Sequence, residues 1–167
     1  MSTEKNIILN ANQIAHKIHR IAYQIYENNS EENEIILAGI AENGYILAKK
    51  IGKSLSEISS LHVRMCKVTI DKKNLLSPVT TSLSSQEYEG KSLVLVDDVL
   101  NSGGTLIYSI KHFLEVPIKQ FKTAVLINRN HKKFPVKADF KGISLATTLQ
   151  ETVIVDFSND APYAYLI

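Results

Sequence analysis

The stretch Leu93-Val94-Leu95-Val96-Asp97-Asp98-Val99-Leu100-Asn101-Ser102-Gly103-Gly104-Thr105 decides how this chain is read. An unbroken apolar run of this length is a strand buried on both faces, the pattern of a parallel sheet. It ends in two adjacent carboxylates, Asp97 and Asp98. A glycine-containing loop follows, and Thr105 to about Glu115 reads as a helix. In an open parallel sheet, ligands bind beyond the carboxyl ends of the strands. Ser102-Gly103-Gly104-Thr105 presents backbone N–H groups at a helix N-terminus, where orphan donors and the helix dipole favour an anion such as phosphate. Glycine permits close approach and positive φ there. Adjacent carboxylates accept hydrogen bonds from a vicinal diol such as the ribose hydroxyls. Acids at a strand end followed by a phosphate cradle therefore read as a ribose-phosphate grip, in preference to a pair of turn caps.

Outward from this stretch, strands alternate with helices. Ile14, Ile18, Ile21 and Ile25 recur at helical spacing, with Asn10 or Asn12 as N-cap and an end near Asn28-Asn29. EIILAGI (34–40) is a second buried strand, and Ala41-Glu42-Asn43-Gly44 a tight loop after it. Leu47, Ile51, Leu55 and Ile58 mark a second amphipathic helix. Leu61, Val63 and Met65 alternate with polar residues, which predicts a half-buried strand to about Ile70. Residues 71–90 are polar and Ser/Thr-rich, a long loop of the kind that serves as a lid. FKTAVLIN is a further strand, and short strands are expected around 140–145 and 152–157. This order implies βαβ units, an α/β fold with a mostly parallel sheet flanked by helices. With 167 residues and no repeat or linker, a single domain over 1–167 is expected.

Composition excludes several classes. The one cysteine, Cys66, rules out an internal disulfide framework and any multi-Cys metal site. No apolar run approaches the ~20 residues of a membrane span, and the N-terminus lacks a signal-peptide core, so a cytoplasmic location without membrane contact is expected. Net charge is only +2, but Arg129, Lys132, Lys133, Lys137 and Lys141 crowd one stretch against Asp139. That stretch is either a solvated loop or an anion-facing patch. A nucleoside-triphosphatase reading needs G-x-x-x-x-G-K-[ST]. The only candidate, Gly52-Lys53-Ser54, sits inside a helical pattern with Leu47 where the first glycine belongs. There is no G-x-G-x-x-G for a dinucleotide.

Leu93–Thr105 resembles the phosphoribosyl-pyrophosphate motif of the type I phosphoribosyltransferases. Over about residues 5–157, the chain looks in particular like the pyrimidine-operon attenuation regulators of bacteria, a group that also acts as uracil phosphoribosyltransferases. AGIAENGYILAKKI and AVLINRNHKKFPVKADFKGISL carry that part of the likeness. The resemblance implies a type I phosphoribosyltransferase fold, with a small hood built from the chain's ends. It implies that Asp97 and Asp98 hold the ribose 2′- and 3′-hydroxyls. It places the 5′-phosphate on Ser102, Gly103, Gly104 and Thr105, beside Asn101. It makes Ala41, Glu42, Asn43 and Gly44 the pyrophosphate loop. Lys137 would read an exocyclic oxygen of the base, and Val153 would cover the base. It further implies phosphoribosyl pyrophosphate and a nucleobase as substrates, Mg²⁺ bound mainly through the pyrophosphate with no separate protein metal site, and a homo-oligomer.

The sequence also departs from that pattern. Asn43 stands where the regulators have arginine, with Glu42 beside it, so turnover is expected to fall below theirs. The lid carries Asp71-Lys72-Lys73-Asn74 in place of Tyr-Arg-Asp-Asp. The 6-oxopurine enzymes have an aspartate at the position of Asn101; an asparagine does no acid–base work, which favours a pyrimidine such as uracil. The alternative is a nucleotide-sensing regulator of weak catalysis that binds RNA through the basic stretch. His16 and His19 are expected on the surface, His131 in the basic loop, and Cys66 buried in a strand. Tyr163 and Tyr165 are expected to pack or to form an interface.

Overall fold

The computed structural model of the protein describes residues 4–167. In chain order the elements are β1 (Asn6–Leu9), α1 (Ala11–Asn28), β2 (Glu34–Ile40), α2 (Asn43–Ile58), β3 (His62–Thr69), β4 (Thr80–Thr81), α3 (Ser85–Tyr88), β5 (Ser92–Leu100), α4 (Gly104–Phe113), β6 (Gln120–Arg129), β7 (Phe140–Leu145), β8 (Val153–Asp156) and β9 (Tyr163–Leu166). The main sheet runs β4-β3-β2-β5-β6-β7 and is parallel except at the β3–β4 edge. A separate antiparallel sheet, β1-β9-β8, joins the two ends of the chain into a hood.

The period of two decides which helix each strand residue meets. Ile35 and Leu37 of β2, with Val94 and Val96 of β5, pack under α1 and α2. Ile36, Ala38 and Ile40, with Leu93 and Leu95, face the other way, toward α4 and Phe113. Both faces being covered is why these strands read as unbroken apolar runs. α1 begins at Asn10, whose side chain accepts from the Gln13 N–H while the Gln13 side chain accepts from the Asn10 N–H. That reciprocal pair satisfies two orphan donors. α1 then buries Ile14, Ile18, Ile21, Ala22 and Ile25 on one stripe.

Three features differ from the sequence expectation. β5 does not end at the acids but runs on to Leu100, because β6 continues to pair with Val99 and Leu100 through Ile127 and Asn128. α2 starts at Asn43, so half of the expected tight loop is the first helical turn. The long lid is shorter than its sequence suggests. Thr80–Thr81 adds to β3, and Ser84 and Glu87 form a capping box on the single-turn α3.

Candidate active site

Asp97 and Asp98 are consecutive on β5, and both line one cavity near the start of α2. Asp97 is 4% exposed, and its Oδ1 accepts the Asp98 N–H at 2.9 Å. Burial first, then the neighbouring Asp98 charge, holds the Asp97 carboxyl well above the usual carboxylate range; Lys72 pulls the other way. Asp98 is half-buried. Its Oδ1 accepts the Val99 N–H at 2.9 Å, and its Oδ2 accepts from Asn43 Nδ2 at 3.0 Å.

The cradle follows. Gly103 caps α4 with φ +88°, a left-handed conformation. A Cβ on Gly103 would lie 2.5 Å from Val136 Cγ2, and one on Gly104 would lie 2.8 Å from Leu75 Cδ1. Gly103 is thus required both by a neighbour within the chain and by backbone conformation, and Gly104 by crowding alone, with Leu75 nearest. The Ser102 carbonyl accepts the Lys133 and Phe134 N–H groups at 2.8 and 3.0 Å, which ties the cradle to the basic loop. A cavity of about 100 Å³ is lined by Asp97 to Gly103, Thr105, Leu106 and Lys72. This brings together Asp97, Asp98, Asn101, Ser102, Gly103 and Thr105, as the sequence suggested, with Gly104 at the head of the helix.

Residues 41–44 lie beside that cavity rather than in its lining. The Ala41–Glu42 peptide is cis. Glu42 is exposed and sits 3.6 Å from Lys67 Nζ, so its negative charge has a partner. Asn43 turns inward, donating to Asp98 and to the Val155 carbonyl of the hood at 2.9 Å. Gly44 is pressed on β5: a Cβ there would lie 2.7 Å from the Val96 carbonyl oxygen. Lys137 is exposed and 3.7 Å from Asp139 Oδ1. Its turn is held to β6 because Asp139 Oδ2 accepts the Thr123 N–H and the Lys137 carbonyl accepts from Thr123 Oγ1. Val153 is buried in the core under the hood, where its side chain fills space between β8 and the main sheet.

Two residues carry more than their sequence context indicated. Lys72 comes from the lid and supplies a cation to the cavity wall. Arg129 is not a free member of the basic stretch. Its guanidinium donates to Asn101 Oδ1 at 3.1 Å, Thr147 Oγ1 at 2.7 Å, the Thr148 carbonyl at 3.2 Å and the Glu151 carbonyl at 2.7 Å. His131 Nε2 meets the Thr147 carbonyl as well. Arg129 therefore straps the connection between β7 and β8 to the cradle. No pattern of spacing announces such a role; only its position at the carboxyl end of β6 does. His16 and His19 are exposed, and Cys66 is buried with its thiol pushed up by desolvation. Tyr163 and Tyr165 stack on each other at 5.4 Å inside the hood, with Lys5 over both rings.

Comparison with known proteins agrees with this geometry. The chain matches the phosphoribosyl transferase domain family over residues 5–161. It is 33% identical to the bifunctional protein PyrR of Haemophilus ducreyi, covering 90% of this chain and 89% of that one. It is also 33% identical to that of Clostridium kluyveri, with 92% and 91% covered. Among solved structures it resembles a hypoxanthine phosphoribosyltransferase of Trypanosoma cruzi, with a TM-score of 0.78, 18% identity, and 97% and 91% of the two chains covered. A hypoxanthine-guanine phosphoribosyltransferase of Bacillus anthracis matches with a TM-score of 0.70, 19% identity, and 86% and 84% covered. Paired acids, a glycine cradle and a hooded parallel sheet thus coincide with a family match over most of the chain: it belongs to the phosphoribosyltransferases, enzymes that move ribose 5-phosphate from phosphoribosyl pyrophosphate to a nitrogenous base.

Proposed function

We propose that this phosphoribosyltransferase acts on a pyrimidine such as uracil and releases pyrophosphate. The observation that carries the reading is the single cavity joining the paired acids to the α4 cradle. Asp98, half-buried and held by two donors, accepts from the ribose hydroxyls; Asp97, desolvated, backs it. The N–H groups at the start of α4 hold the 5′-phosphate. The bond from the anomeric carbon to the pyrophosphate oxygen breaks, a bond to the base nitrogen forms, and the proton of that nitrogen passes to the departing pyrophosphate or to water. The intervening state is oxocarbenium-like, so the chain's task is to hold both charged ends and exclude water.

The pyrimidine preference rests on Asn101 and on the likeness to PyrR proteins. Asn101 accepts from Arg129 through its amide oxygen, and its amide N–H groups are not acidic, so it cannot exchange a proton with a base. By resemblance to the family, Mg²⁺ would ride on the substrate's pyrophosphate. Asp98, half-buried at the cavity wall, is the carboxylate that would face an ion carried on phosphate oxygens. When bound, it would neutralise charge on the leaving pyrophosphate. Lys137 and Val153 are assigned to the base by resemblance, and the backbone N–H groups of 41–44 to the pyrophosphate.

Among the described residues no helix is long and apolar enough to cross a membrane. By resemblance to the family, we place the protein in the cytoplasm, as a homo-oligomer. RNA binding would have to use Lys132, Lys133 and Lys141, since Arg129 and Lys137 have partners within the chain. A base-by-base assay of pyrophosphate release tests the proposal. Release with uracil above that with hypoxanthine or guanine supports it. Release with a purine alone, or with none, overturns it.

A further inference from the structure

We propose that Asn43 is a positioning residue for the ribose site, locking the diol acid and the hood together, and that it does not serve the leaving group. This rests on the ribose-phosphate reading above. A carboxamide nitrogen carries two hydrogens. Asn43 Nδ2 has an acceptor for each: Asp98 Oδ2 at 3.0 Å and the Val155 carbonyl at 2.9 Å. Three elements meet there, namely the first turn of α2, the acid of β5 and strand β8 of the hood.

The seat of Asn43 is itself fixed. The next residue, Gly44, lies so close to β5 that a Cβ would stand 2.7 Å from the Val96 carbonyl oxygen and 3.0 Å from Asp97 Cα. The helix start is therefore clamped to the strand that carries both acids. Asp98 is gripped from two sides, by the Val99 N–H on Oδ1 and by Asn43 on Oδ2. Two donors on different oxygens fix the carboxylate plane. The lone pairs not taken by these donors are then presented in one orientation to a vicinal diol. The second hydrogen of Asn43 holds the β8 backbone at the same point, which registers the hood over the ribose. Val155 is buried, so its carbonyl has this partner in place of water.

Asn43→Ala removes both donors and frees the Asp98 carboxylate to rotate. The effect must appear only with ligands that own the diol. Calorimetry with uridine 5′-monophosphate and its 2′,3′-dideoxy counterpart, on wild type and variant, separates the cases. We expect a loss of about ten- to hundredfold for the ribonucleotide, as for a charge-assisted hydrogen bond, and a change within about twofold for the dideoxy form. Affinity for inorganic pyrophosphate should stay the same. Asn43→Asp, which keeps the shape but sets a second carboxyl against Asp98, should show the same diol-dependent loss if the alanine variant does not fold. Equal loss for both nucleotides, no loss, or a loss confined to pyrophosphate overturns the proposal. A wild type that binds neither nucleotide overturns the ribose-phosphate reading itself, a distinct result.

Discussion

Gly103→Ala probes the phosphate cradle where the structure makes the sharpest demand. Gly103 holds φ +88°, and an alanine in the left-handed region costs about 1–2 kcal/mol. The added methyl would stand 2.5 Å from Val136 Cγ2, well inside contact distance. Valine is stiff at χ1, so the neighbour cannot turn away freely. Overpacking of this kind costs about 1–3 kcal/mol. The two contributions sum to about 2–5 kcal/mol, a large share of the ~5–15 kcal/mol that holds a domain folded. At about 2–4 °C per kcal/mol for a chain of this size, the melting temperature should fall by about 4–20 °C. Thermal unfolding followed by circular dichroism measures it. Adding Val136→Ala removes the clashing methyl but leaves the backbone strain, so the double variant should melt between the single variant and wild type. A single variant melting within about 2 °C of wild type refutes the reasoning. A double variant no better than the single refutes the assignment of the clash to Val136.

Asp98→Asn keeps the shape of the side chain but loses the charge facing the diol. Nucleoside 5′-monophosphate affinity should drop about ten- to hundredfold by calorimetry. Asp97→Asn should stabilise the fold at alkaline pH more than at acid pH. The folded-state pKa of Asp97 is raised, so the protonated carboxyl's contribution is present below the unfolded value of about 3.9 and is lost as pH rises through the folded value. Melting curves from pH 4 to 9 that run parallel for variant and wild type would contradict this. Arg129→Lys keeps the charge but not the planar fork that reaches Asn101, Thr147, Thr148 and Glu151 together. Backbone amides of 146–152 should then exchange hydrogen about tenfold faster, while those of β5 should not change. Light scattering at micromolar concentration should give at least twice the 18.7 kDa chain mass; a monomer would contradict the proposed assembly.

Within the chain, local pattern was enough wherever one segment answers its own requirements. The apolar runs of β2 and β5 declare burial on both faces, and Ile14, Ile18, Ile21 and Ile25 declare the stripe of α1. The acids, the glycines and the helix after them are consecutive, so the cavity they line was legible in one stretch. The hood strands β1 and β9 were not read as strands. Each is a four-residue segment whose hydrogen-bond partners lie at the opposite end of the chain.

The sequence by itself determined the α/β class and singled out the acids and glycines that the structure gathers around one cavity, because these follow from short-range periodicity and neighbouring chemistry. Only the tertiary structure decided what the loops do. Asn43 meets Asp98 across 55 positions and Val155 across 112, and Arg129 reaches Asn101 across 28. Lys72 enters the cavity because the lid folds over α4, with Leu75 on Gly104. Such contacts join side chains whose separation along the chain carries no signal. Their partners are chosen by how the parallel sheet stacks the carboxyl ends of its strands and by where the hood closes on them.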